Sequence, residues 1–146
     1  MNKFSYAYAA LAVALVSTSI ALAAPNPGME KGQKEPDTYK IHGLYGSGQH
    51  GTVTLYPLSG KTRVTIHLTG EPVGAIEPAH VHTGNCAHPG PVIYPLTDVV
   101  AGHSTTLVNA PISKVAVAGN SVNVHKSAAQ LNLYMACANL GSAGSM

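Results

Sequence analysis

Tryptophan is absent from the 146 residues, and phenylalanine occurs once, at Phe4. A chain this poor in large rings has few platforms on which bases could stack. Charge is equally sparse, with eight Lys and Arg against six Asp and Glu. No basic stripe runs through the sequence, so nucleic-acid binding gets no support. The near-neutral balance also leaves no strong field to steer a charged ligand. No stretch carries apolar residues at helical spacing over a useful length. AAQLNLYMA (128–136) comes nearest, and it is too short for more than a helical turn. Internal repeats and a second domain are missing too, and the length suits one domain with a modest core.

The first residues read as a targeting segment. Lys3 gives a short positive start, an Ala-, Leu- and Val-rich run follows from Ala9 to Val16, and Ala21-Leu22-Ala23 has the small-x-small form of a signal-peptidase site. Cleavage before Ala24 is expected, with residues 1–23 as the signal peptide. A retained membrane anchor is the other reading, against which stand the shortness of the apolar run and its alanine content. An exported protein, periplasmic or secreted and with no membrane segment after cleavage, is therefore expected. Residues 24–38, rich in Pro, Gly and charge, read as a flexible leader. Residues 141–146 read as a loose tail.

Between them, residues 39–140 break into short strand-like runs separated by Gly and Pro. KTRVTIHLTG (61–70) sets Val64, Ile66 and Leu68 on one face and Thr65, His67 and Thr69 on the other, the period of a half-buried strand. TVTLYPL (52–58) alternates in the same way, and Ser59-Gly60 is a tight turn between the two. YKIHGLY, PAHVHTG, PVIYPL, TTLVNA, NSVNVHK and LYMACANL complete the set. Many short strands at regular spacing predict an all-β domain, a sandwich or a Greek-key β-barrel.

Two cysteines, Cys86 and Cys137, are present. In an oxidising compartment such a pair closes a disulfide; the rival reading gives one thiol to a metal. Histidine is the over-used polar residue, with eight in the chain. Imidazole suits copper and zinc, so spacing has to decide which histidines matter. His80 and His82 in PAHVHTG are i and i+2 on a strand, so both rings project from one face while Val81 packs on the other. His125 in SVNVHKSA alternates with Val122 and Val124, which places it on the surface side of its strand.

The order of these pieces, H-x-H-x-x-x-C (His80, His82, Cys86), then V-H-x-x-A (Val124, His125, Ala128), then A-C (Ala136, Cys137), resembles the copper/zinc superoxide dismutases. The likeness covers nearly all of residues 39–140. AHVHTG followed by GPV is also similar to part of the CHRD domains of chordin. The first resemblance implies a Greek-key β-barrel of the dismutase type, a copper site of His80, His82 and His125, and a Cys86–Cys137 bridge. His88, two residues past Cys86, is a candidate for a further copper ligand.

The chain departs from that family where zinc and catalysis are concerned. The bridging-histidine position of the G-P-H motif is Val92. The segment that carries zinc ligands offers only Asp98 and His103. Ala129 replaces the aspartate that links the two metal shells, and the steering loop is reduced to a few residues around Gln130–Leu133. The anion-docking arginine position is Tyr134. Zinc binding is therefore not expected, because a four-ligand site cannot be filled. The expectation is an exported copper-binding domain that holds or transfers copper. The alternative is a copper-only superoxide dismutase of reduced activity, with superoxide as substrate, and a third reading is a structural domain with incidental histidines.

Overall fold

The computed structural model describes residues 34–141, so the proposed signal peptide, most of the leader and residues 142–146 lie outside the described residues. Ten strands form one antiparallel sheet: β1 (Asp37–Gly43), β2 (His50–Leu58), β3 (Lys61–Thr69), β4 (Ile76–Glu77), β5 (Ala79–Thr83), β6 (Val92–Pro95), β7 (Val99–Val100), β8 (His103–Val108), β9 (Asn120–His125) and β10 (Tyr134–Asn139). The only helix among the described residues is α1 (Ile112–Val115). No described helix is long and apolar enough to cross a membrane. Strand β1 starts at Asp37, two residues inside the segment read as leader.

The strand order is β4-β7-β8-β3-β2-β1-β10-β9-β5-β6. Strands β4 and β5 are eight steps apart in that order, yet only Pro78 separates them along the chain. In a flat sheet eight steps would span about 38 Å at ~4.8 Å per strand. The sheet must therefore curl until its β4 end returns to β5.

Curling gives the sheet an inside, and the period-two pattern fills it. Ile41, Val53, Leu55, Val64, Ile66, Val81, Val122 and Val124 are all at most 1% exposed and form one cluster. β-Branched residues dominate because they fill a pleated surface with little loss of rotamer freedom. The β2–β3 hairpin follows its turn chemistry. Leu58 pairs with Lys61, leaving Ser59 and Gly60 as a two-residue loop with positive φ at both (20° and 78°). Such a turn matches the twist of the flanking strands and needs Gly or a small polar residue. Helix α1 was not foreseen. It starts after Pro111 and buries Ile112 and Val115, one turn apart, against the core. The stretch 128–136 is turn followed by β10, not helix.

Candidate metal centre

Three histidines converge on the outer face of the curled sheet. In the β5–β9 pair, Ala79 lies opposite Val124 and Val81 opposite Val122, all facing the core. His80 opposite Asn123 and His82 opposite Ser121 consequently face outward. His125 ends β9 on the same side, its backbone N–H donating to the Pro78 carbonyl at 2.8 Å. The ligand atoms of His80, His82 and His125 lie within 4.8 Å of one another, a grouping that can hold a metal ion.

Facing outward did not leave this patch exposed, and the expectation of a surface-projecting His125 is corrected: it is only 2% exposed. Period-two reasoning gives a strand's faces but not what lies over them. Two segments fold over the outer side of β9, which is buried along its whole length. One is the loop 84–91, closed by the Cys86–Cys137 disulfide and by Ser121 Oγ donating to the Gly84 carbonyl at 2.8 Å. The other is the turn 126–133, held by Lys126 N–H to the Leu133 carbonyl at 2.9 Å. Both sulfurs are consumed in the bridge, so the reading that gave one thiol to a metal fails.

These covering segments also set the imidazole tautomers. His82 Nδ1 donates to the Gly90 carbonyl at 2.8 Å, and His125 Nδ1 donates to the Leu131 carbonyl at 2.6 Å. Each ring therefore presents its Nε2 lone pair to the cluster. Backbone carbonyls behind ligating histidines fix ring orientation and raise basicity in the same manner. His82 Nε2 is buried without a hydrogen-bond partner, as a ligand atom facing a metal position would be. His125 Nε2 lies 2.9 Å from His80 Nδ1, which donates to it. His80 becomes a third ligand when its proton moves from Nδ1 to Nε2 and its ring turns, because its Nδ1–H points at the His125 lone pair. Gly90 is required for this arrangement, since a Cβ there would sit 2.5 Å from Thr83 Oγ1.

Burial favours the neutral form of two of the three rings. Burial pushes the His80 and His125 pKa values below the ordinary imidazole value. The neighbouring imidazoles add to the effect, from His82 on His80 and from His80 and His82 on His125. Asp98 offsets the shift at His80 in part, and the Leu131 carbonyl does so at His125. Neutral imidazole is the state that ligates metal.

The structure does not bring the other candidates into this group. His88 is exposed in the loop 84–91. Val92 lies on β6, 47% exposed, and neither Asp98 nor His103 joins the cluster. Tyr134 does come close. It pairs with His125 across β10 and β9, with its ring 4.8 Å from that of His125 and 6.0 Å from that of His82. The Gly90 and Leu131 carbonyls were not foreseen, since backbone acceptors leave no mark in a residue pattern. No known family model matches the chain, and the curated proteins contain no match to it.

Proposed function

We propose that this chain is a divergent, exported relative of the copper/zinc superoxide dismutases, with their Greek-key barrel, and that it holds or transfers one copper ion through His80, His82 and His125. The observation that carries the reading is the convergence of three imidazoles whose ligand atoms lie within 4.8 Å of each other, two of them with their second nitrogen tied to a backbone carbonyl. An all-nitrogen set of three neutral donors suits copper better than hard cations, which prefer oxygen. The disulfide agrees with export to an oxidising compartment.

Tyr134 favours holding copper over turning over superoxide. Its ring occupies the side of the cluster where the resemblance implies an arginine, and a phenol offers an anion no permanent positive charge. The test is metal stoichiometry after anaerobic purification, followed by Cu2+ titration of the parent and of His80→Ala, His82→Ala and His125→Ala. Each substitution is expected to weaken the tight class of copper binding at least about tenfold, roughly 1.4 kcal/mol. A triple variant that binds copper as tightly as the parent would show the site to be wrong. Stoichiometric zinc that resists removal would defeat the preference for copper.

A further inference from the structure

Beyond the buried cluster, the sheet register gathers four of the remaining five histidines. Along one row of cross-strand partners, His80 lies opposite Asn123, Asn123 opposite Cys137, Cys137 opposite His42, His42 opposite His50, and His50 opposite Thr69. Directly opposed residues point to the same face, so His42 and His50 share the outer face with the buried three. His67 is two residues from Thr69 and therefore also faces outward, and it lies opposite His103 on β8. All four are exposed. They form a file across β1, β2, β3 and β8.

Within this file the rings of His67 and His103 stand 4.8 Å apart. That is the separation of the His80 and His125 rings in the buried cluster. Neither ring is tied by a hydrogen bond among the described residues. His50 differs, with Nδ1 directed at the Gly48 carbonyl at 3.2 Å and Nε2 at Thr69 Oγ1 at 3.1 Å. The pair's nearest same-face strand neighbours are uncharged threonines. Thr52 lies opposite His67 on β2, Thr65 and Thr69 flank it on β3, and Thr105 follows two residues after His103 on β8. The nearest lysine on this face of β1 and β2 is Lys40, opposite Thr52 and so two strands from His67. No fixed cation next to the pair opposes a metal ion. Exposed imidazoles also rotate freely enough to turn both lone pairs to one ion.

The geometry points to a second metal site, in which His67 and His103 together bind an imidazole-preferring divalent transition ion such as Cu2+ on the open face of the sheet. With two protein ligands and water completing the sphere, it is weaker than a three-imidazole site and exchanges freely. It shares no residue with the buried cluster and does not depend on that cluster's metal.

The test is titration of the full chain with Cu2+ in a non-coordinating buffer, read by calorimetry and by paramagnetic broadening of histidine ring resonances. Three proteins are compared: the parent, His67→Asn/His103→Asn, and the variant with His80, His82 and His125 all replaced by Ala. The parent is expected to show a tight class and a second class at least about tenfold weaker. The surface double variant should lose only the second class, and the buried triple variant should keep it. Early broadening in the parent's weaker phase should fall on the His67 and His103 rings. A double variant that retains the weaker class, or broadening that spares both rings, overturns the surface site and leaves the buried one untouched. A triple variant that keeps the tight class overturns the buried site alone.

Discussion

Removing the Cys86–Cys137 bridge should lower stability without dismantling the histidine cluster. The bridge joins residues 51 apart. In the chain-entropy model a closed loop of that size removes about 14 cal/mol/K from the unfolded ensemble, or about 4 kcal/mol at 25 °C. Small domains have only ~5–15 kcal/mol in total. The loss therefore takes a large share of the margin and should move a urea midpoint by on the order of 2 M, for a slope of about 2 kcal/mol/M. The folded loop keeps other anchors: Ser121 Oγ to the Gly84 carbonyl, Cys86 N–H to Asn139 Oδ1 at 2.8 Å, and Thr83 N–H to the Pro91 carbonyl at 3.0 Å. Because the bridge acts mainly on the unfolded chain, copper affinity of the folded Cys86→Ala/Cys137→Ala protein should stay within about tenfold of the parent. Urea unfolding followed by circular dichroism gives the first quantity, and copper titration below the transition gives the second. An unchanged midpoint would refute the entropic argument. A normal fold with copper affinity lost a hundredfold would show that the bridge shapes the site directly.

Three further outcomes are expected. The folded-state pKa values of His80 and His125 are depressed, so their contribution to the stability of the metal-free protein is full above the ordinary histidine value of 6.5 and is lost as pH falls through the folded values; urea midpoints measured downward from pH 7.5 should show a fall that His80→Ala/His125→Ala flattens. Glu77 has the opposite sign: it is buried, burial raises its pKa above 4.5, and Gln49 Nε2 donates to its Oε1 at 2.7 Å, so its contribution is present below 4.5 and lost as pH rises through the folded value. Glu77→Gln should match or exceed the parent in thermal melts at pH 7, and lower stability at every pH would sink that reasoning. Copper-loaded protein should dismutate superoxide far below the diffusional range of ~10⁸–10⁹ M⁻¹s⁻¹, and stopped-flow rates near that limit would favour the enzyme reading.

Much of this molecule was legible because its strands are half-buried in a regular way. KTRVTIHLTG announces β3 and both of its faces, and Ser59-Gly60 announces the hairpin. The i, i+2 spacing of His80 and His82 placed two imidazoles on one face. What stayed hidden was set by tertiary cover or by brevity. His125 reads as exposed on alternation alone, and becomes buried because two loops cross β9. Strands β4 and β7 are two residues each, too short to carry a period, and α1 is a single turn. The histidine file needs the register of four strands, which no linear spacing displays.

The one-residue passage through Pro78 has a consequence for the order of assembly. Its carbonyl receives the His125 N–H, and His80 lies two residues beyond it, so the seam of the sheet and the histidine cluster are one place. His80 and His125 are 45 residues apart and meet once β9 has paired with β5. Such distant pairings are slow to form, because loop-closure entropy is lost before contacts repay it. A half-folded chain thus has no complete set of three donors to offer. A metal ion held by all three histidines would report that β5 and β9 have paired, and its spectrum would time that step.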